Sequence, residues 1–287
     1  EDPDSDLERS MNYHISYNFP QTPAQPPLDQ NDYRPRYSNE KWQRTKTWNM
    51  KERRPFHPCI HAGSCADANC RCFREQIFCE RSCSCSASCE RRYSGCTCKS
   101  KNLPCSPNKG CTCRAVNREC DPELCRGCGA AEALDPNNRY REGGACRNVS
   151  ILRGVTKKTL LGTSTVHGWG LFTGEDFQQD DYIGEYTGER ITETEMSRRE
   201  VVYQHEDTMY GWGLTDSNID GTHAGNRLRF INHSRDKKVI NCYPRVELCN
   251  TIIRIGLYAT GPMKAGIELF FDYGYSDEVL KNFKPPK

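Results

Sequence analysis

No stretch of this sequence is apolar for long enough to cross a membrane, which takes about 20 consecutive apolar residues. No apolar segment follows the acidic opening Glu1-Asp2-Pro3-Asp4, so a secretory leader is not expected there. That opening also lacks an initiator methionine, and the expectation is a soluble piece of an intracellular protein. Net charge is nearly absent: 40 Lys and Arg against 38 Asp and Glu leave +2, which excludes a uniformly polybasic or acidic chain. Residues 1–55 lack helix or strand periodicity, because Pro20, Pro23, Pro26, Pro27 and Pro35 interrupt it. With Tyr33, Tyr37, Trp42 and Trp48 scattered through it, this segment reads as a linker that packs in part on a neighbouring domain. Aliphatic residues are scarce between 56 and 150, where something other than an oily core must hold the chain.

Cysteine is what is there in excess. Of 19 cysteines, 17 lie between Cys59 and Cys146. An odd count without a leader disfavours a disulfide framework and favours zinc ligation in a reducing compartment. The spacing repeats. A first copy runs Cys59-x-His61-x3-Cys65-x4-Cys70-x-Cys72-x6-Cys79-x3-Cys83-x-Cys85-x3-Cys89. A second runs Cys96-x-Cys98-x6-Cys105-x5-Cys111-x-Cys113-x6-Cys120-x4-Cys125-x2-Cys128, with Cys146 as a late ninth member. Zinc prefers four ligands, so three ions need about twelve bonds, and nine ligands supply them when three thiolates each bridge two ions. Two three-zinc clusters, about six ions in all, are therefore expected. His61 should be a terminal ligand, while Cys242 and Cys249 read as buried structural thiols. Between Lys51 and Arg147 there are 17 Lys and Arg against 11 Asp and Glu, an excess of 6 that offsets anionic clusters. It leaves room for a weak DNA or RNA contact without base-specific readout.

The composition changes at about 151. Short β-like runs (Thr159–Leu161, Gly170–Phe172, Tyr182–Tyr186, Ile252–Tyr258) are separated by turn residues. Thr192 followed by Glu195 forms a capping-box pattern for one helix expected to end near Tyr203. Five short motifs follow in order: His167-Gly168-Trp169-Gly170, Glu185-Tyr186-Thr187-Gly188-Glu189, Gly225-Asn226-Arg227-Leu228-Arg229-Phe230, Ile231-Asn232-His233-Ser234 and Glu268-Leu269-Phe270-Phe271-Asp272-Tyr273.

In this order the motifs resemble the SET-domain protein-lysine methyltransferases. The cysteine repeats, followed by Arg118-Glu119-Cys120-Asp121-Pro122-Glu123-Leu124-Cys125 and then SET, narrow the resemblance to the Enhancer-of-zeste family, catalytic subunits of Polycomb repressive complex 2. The implied fold is a mostly β SET domain with a pseudoknot and a helical insertion, preceded by an irregular zinc-cluster domain of CXC type. The implied domains are a linker at 1–55, the zinc-cluster domain at 56–150, SET at 151–275 and a tail at 276–287. The implied activity is methylation of a histone H3 lysine, lysine 27 in first place, from S-adenosylmethionine in the nucleus. Implied partners are the H3 tail and nucleosome, together with a WD-repeat subunit and a zinc-finger subunit that bind segments upstream of this stretch.

Residue by residue, the resemblance puts Gly168, Trp169, Gly170, Asn232, His233 and Tyr273 at the cofactor. Tyr186, Tyr210, Phe271 and Tyr273 line a narrow lysine channel, and Trp212 follows Tyr210 on the same strand face. An apolar tunnel disfavours the protonated amine, and no general base is evident in the motifs. Gly221 stands where familiar animal members carry Ala, and Arg235–Ile240 departs from the usual approach to Cys242, so the methylation state is left open. Two alternatives remain: an H3 lysine 9 enzyme, whose relatives have one cluster and a cysteine tail, and a zinc-cluster DNA-binding module with an inactive SET fold.

Overall fold

The computed structural model describes residues 56–274 apart from 76, 97, 99–104, 106–110, 126, 141–145, 207 and 215–216. The segments assigned from sequence to a linker and a tail, 1–55 and 276–287, lie outside the described residues. Among the described residues, ten short strands make four small sheets. β1 (Thr159–Thr163) pairs antiparallel with β2 (Trp169–Thr173). β3 (Tyr182–Glu185), β9 (Ile252–Ala259) and β8 (Cys242–Cys249) form the central sheet, with β9 in the middle. β4 (Glu189–Ile191), β6 (Asn218–Asp220) and β5 (Gly211–Gly213) form a third, with β6 in the middle. β7 (Asn232–His233) runs parallel to β10 (Phe270–Phe271).

The inward sides of these sheets share a core built on Leu171, Phe177, Ile183, Ile231, Ile255, Leu257 and Leu269. β8 and β9 are joined by a two-residue turn, Asn250-Thr251, with both φ values positive (47° and 74°). That twist matches the right-handed twist of paired strands, at the cost of a left-handed conformation for a β-branched threonine. The one long helix among the described residues, Glu193–Glu206, is inserted between β4 and β5 and extends three residues past the end expected from sequence. Its capping box is half formed: Thr192 Oγ1 accepts from the Glu195 amide at 3.2 Å, while the Glu195 carboxylate turns to Arg199 (3.0 Å) and Arg198 (3.2 Å).

The pseudoknot lies where the last described strand meets the 231–242 stretch. Leu269 N donates to Leu171 O on one side, while Ser234 N and Asn241 N donate to Phe271 O and Phe270 O on the other. Asn241 closes the clasp through its side chain, donating to Glu268 O (2.6 Å) and accepting from Phe270 N (2.9 Å).

Among the described residues, the cysteine-rich part holds only single helical turns. Two of them, Arg71–Arg74 and Thr112–Ala115, begin directly after Cys70 and Cys111, the fourth cysteine-type position of each copy. The sequence repeat is thus also a repeat of local structure. The first and second copies are joined by a buried chain of contacts. Arg118 makes a two-pronged ion pair with Glu80 (2.7 Å at each oxygen) and lies 3.6 Å over the Tyr93 ring, whose hydroxyl donates to Cys113 Sγ at 3.0 Å.

The second copy also covers the open edge of the central sheet. Leu248 N donates to Asn117 O (2.9 Å) and Glu119 N to Leu248 O (3.1 Å), so residues 117–119 pair with β8 as an extra strand would. Glu119 then accepts from the Ile151 and Leu152 amides (2.7 and 2.9 Å) at the helical turn Ser150–Arg153. Burial pushes its carboxyl up to about 8, and the neighbouring Glu247 adds to the effect. The buried Glu247 is in turn held by Arg245, by Tyr258 (3.0 Å) and by Arg114 from the cysteine-rich side (3.6 Å).

Candidate metal clusters and lysine channel

Every one of the 19 cysteines is a free thiol. Within the first copy, Cys59 and Cys65 sulfurs lie 3.9 Å apart, Cys72 and Cys83 3.7 Å, and His61 Nε2 lies 3.6 Å from Cys65. Within the second, Cys96 is 3.8 Å from both Cys105 and Cys120, and Cys113 is 3.5 Å from Cys125. These spacings are far beyond a disulfide bond of about 2.05 Å. They match the edge of a tetrahedron whose metal–sulfur bonds are about 2.3 Å, an edge of about 3.8 Å.

The ligand atoms fall into overlapping groups of four: Cys59, Cys70, Cys72 and Cys79; Cys59, His61, Cys65 and Cys70; Cys59, Cys65, Cys79 and Cys85. Shared membership is what bridging thiolates require: besides Cys59, common to all three, Cys70 joins the first and second groups, Cys65 the second and third, and Cys79 the first and third. Cys96 is shared in the same way between a group with Cys98, Cys105 and Cys111 and a group with Cys120, Cys125 and Cys128. Burial pushes the Cys59 thiol up to about 11, while the Cys72 S–H beside Cys83 pulls that thiol down to about 2. Thiols this crowded cannot all ionise unless cations lie between them. The donor set fits zinc. Cys242 and Cys249, read as structural thiols, are buried in β8 away from these groups.

The second site is an aromatic chain on the SET side. Tyr186 and Trp212 rings are 5.3 Å apart, Trp212 stacks on Phe271 at 5.6 Å, and Phe271 meets Tyr273 at 4.7 Å. Tyr186 follows β3, where its amide is anchored on Ile255 O (2.8 Å), and Phe271 ends β10. Two hydroxyls in this chain are committed as donors to main-chain carbonyls: Tyr186 to Tyr210 O (2.8 Å) and Tyr273 to Ile231 O (2.5 Å). Their remaining lone pairs are acceptors.

Beside Tyr273 is the loop expected to hold the cofactor. Gly168 turns the β1–β2 connection with φ +45°, and a Cβ on Gly170 would overlap the Glu268 carboxylate. Asn232 Nδ2 ties the loop down, donating to Trp169 O (3.1 Å), Glu268 Oε1 (3.0 Å) and, more weakly, His167 O (3.4 Å). His233 Nδ1 accepts from the Tyr273 amide (3.1 Å) with its ring 5.1 Å from the Tyr273 ring. Trp169 is 55% exposed and Tyr273 37%, so both present open ring surface next to one another's loops. Gly168, Trp169, Gly170, Asn232, His233 and Tyr273 are thus brought together by these contacts.

The SET domain family matches residues 168–274. The histone-lysine N-methyltransferase MEDEA of Arabidopsis thaliana is 36% identical over 236 residues, 82% of this chain and 33% of that protein. The histone-lysine N-methyltransferase EZH2 of Chaetomium thermophilum is 37% identical over 241 residues, 76% of this chain and 16% of that protein. The crystal structure of the Chaetomium thermophilum Polycomb repressive complex 2 superposes with a TM-score of 0.75 at 35% identity, covering 91% of this chain and 34% of that one. A Polycomb repressive complex 2 in an autoinhibited conformation bound to S-adenosylmethionine gives a TM-score of 0.75 at 33% identity, covering 97% and 36%. The chain belongs to the Enhancer-of-zeste family. It spans from 16% to 33% of the length of these two curated relatives.

The Enhancer-of-zeste resemblance gave Tyr210 to the channel wall. The structure puts the Trp212 ring between Tyr186 and Phe271. The Tyr210 ring lies 5.5 Å from Phe230, and its carbonyl accepts from the Tyr186 hydroxyl. Burial pushes the Tyr210 phenol above its ordinary value, and the Arg229 guanidinium works in the opposite direction. The contacts of Phe230 and of the Ile231 carbonyl were not evident from sequence, because each is made across the fold, to Tyr210 and to Tyr273, rather than within its own motif.

Gly221 borders the same channel. A methyl group there would come within 3.3 Å of the Tyr186 hydroxyl and 3.2 Å of Tyr210 O, tight but short of a clash. Gly221→Ala is expected to leave the fold intact and to lower the trimethylated fraction of product relative to monomethylated. Mass spectrometry of the peptide product checks this; an unchanged distribution contradicts the channel geometry.

Proposed function

We propose that this chain is the catalytic portion of a nuclear histone-lysine N-methyltransferase, acting on histone H3 with lysine 27 as the favoured residue. The observation that carries the proposal is the aromatic chain Tyr186–Trp212–Phe271–Tyr273 opening beside the Gly168–Gly170 and Asn232 cradle. S-adenosylmethionine, when bound in that cradle, supplies an electrophilic methyl group on a positively charged sulfur. The residues of the chain do the rest.

A lysine side chain with a pKa of about 10.4 is almost wholly protonated at neutral pH. The stacked faces of Trp212 and Phe271 disfavour the ammonium form by removing its water. The oxygens of Tyr186 and Tyr273, with their own protons committed to Tyr210 O and Ile231 O, accept N–H bonds from the neutral amine and aim its lone pair. Positioning and desolvation then supply the rate. The zinc clusters hold the cysteine-rich domain, which braces the sheet that carries Tyr186.

The partners we propose are the H3 tail and nucleosome, a WD-repeat subunit and a zinc-finger subunit, with a weak DNA or RNA contact from the basic cysteine-rich region. Residues 1–287 alone should be weakly active or inactive, because enzymes of this family depend on partner subunits. The test is radiolabelled methyl transfer to H3 peptides with partner subunits added, using peptides in which lysine 27 or lysine 9 is replaced. Loss of labelling with the lysine 27 replacement alone supports the reading. Loss with the lysine 9 replacement alone redirects it, and no labelling of any peptide leaves a binding module.

A further inference from the structure

Asp220, the last residue of β6, is fully buried, yet it belongs to none of the motifs that carry the channel. Its Oδ2 accepts from the Tyr203 hydroxyl (2.7 Å) and from Arg199 Nη1 (2.8 Å), both on the long helix. Its Oδ1 accepts from the Thr222 amide (2.9 Å). Burial alone would raise this carboxyl, but those three donors outweigh it and hold the group at about 2. Tyr203 is itself buried, edge-on to His223 at 5.5 Å, and Arg199 also reaches Glu189 (2.7 Å) and Glu195 (3.0 Å).

From Asp220 the contacts lead directly to the channel. The next residue, Gly221, donates its amide to Tyr210 O (2.7 Å), and Thr222 Oγ1 accepts from the Tyr210 amide (3.1 Å). The turn 220–222 thus grips the Tyr210 backbone at both its polar groups. Tyr210 O is also the carbonyl on which the Tyr186 hydroxyl rests. Arg229 supports the turn from the far side, donating to Gly221 O (2.7 Å) and Thr222 O (3.3 Å).

We infer that Tyr203, Arg199 and Asp220 form a tether between the inserted helix and the channel that sets which methylation states of lysine react. The tether fixes the 220–222 turn, the turn fixes Tyr210 O, and that carbonyl fixes where the Tyr186 oxygen presents its lone pairs. A neutral unmethylated amine has two N–H groups to direct, a monomethylated amine one and a dimethylated amine none. The tether therefore matters most for the first transfer and least for the last. These are positioning residues: none of the three touches the channel itself. The inference rests on the methyltransferase reading given above.

The test compares rates on unmethylated and dimethylated H3 peptides in the reconstituted complex. Tyr203→Phe removes one hydroxyl and keeps the buried ring. It is expected to lower the unmethylated-to-dimethylated rate ratio by about fivefold. In a Tyr186→Phe background the same change should leave the ratio where Tyr186→Phe alone puts it, since the tether acts through that hydroxyl. Arg199→Gln, at a partly exposed position, should shift the ratio in the same direction. A ratio that stays constant while all rates fall together would show a purely structural role and overturn the inference. So would additivity in the Tyr186→Phe background. An inactive wild-type complex would defeat the methyltransferase reading itself, which separates the two failures.

Discussion

Tyr273→Phe is expected to lower the rate of methyl transfer by about 10²-fold or more while leaving S-adenosylmethionine affinity within about threefold. The expectation follows from what the substitution removes and what it leaves. The Tyr273 ring keeps its contacts with Phe271 (4.7 Å) and His233 (5.1 Å), and its amide still donates to His233 Nδ1. The cofactor cradle, held by Asn232 through Trp169 O and Glu268, does not involve the hydroxyl at all. What is lost is one oxygen, oriented by its bond to Ile231 O, that in the mechanism proposed above accepts from the amine as it approaches. An acceptor fixed before the reaction begins costs no reorganisation and acts most strongly where water is excluded, so its loss falls on the transfer step. Single-turnover methyl transfer and calorimetric titration of the cofactor separate the two quantities. A turnover within about twofold of wild type would show that Tyr273 only shapes the cradle.

How far the sequence reached depended on what each signal encodes. The cysteine spacing is a covalent ruler, and it led directly to two copies whose equivalent positions, Cys70 and Cys111, start equivalent helical turns. The runs at 159–161, 170–172, 182–186 and 252–258 fell within or at the edge of β1, β2, β3 and β9, because alternation and turn residues act locally. The three-residue strands β4, β5 and β6 gave no such signal: Gly211–Gly213 and Asn218–Asp220 become strands only through their neighbours. The aromatic chain shows the same division. Tyr186, Phe271 and Tyr273 stand out in their motifs, but that Trp212 lies between Tyr186 and Phe271 depends on the pairing of β5 with β6, a tertiary fact. The bracing of β8 by residues 117–119 was equally out of reach, since nothing in Asn117-Arg118-Glu119 resembles a strand.

That bracing sets the outcome of removing zinc. Stripping the metal with a strong chelator is expected to unfold the cysteine-rich region and also to loosen the central sheet of the SET domain. A structural zinc site contributes about 10–16 kcal/mol of apparent binding free energy, whereas a whole domain is stable by only about 5–15 kcal/mol. The buried residues of the cysteine-rich region are largely the ligands themselves, so only a small apolar cluster around Phe78, Tyr93, Val116 and Val149 remains once the metal leaves. As the second copy opens, Asn117 and Glu119 release Leu248, and Arg114 releases Glu247. β8 is then an open edge carrying a buried carboxylate with fewer partners. Hydrogen exchange should therefore rise in residues 242–249 as well as in the cysteine-rich region, while the β1–β2 hairpin, remote from that edge, keeps its protection. Cys120→Ala should reproduce the effect, because Cys120 shares a group with Cys96, Cys125 and Cys128, and elemental analysis should find fewer ions than the roughly six expected. Cys242→Ala, which loses only a thiol donated to Phe270 O at 3.3 Å, should keep the full count. Unchanged exchange in β8 after complete zinc removal would show that the two parts fold independently. A wild-type count of about two or four would rule out bridged three-metal clusters.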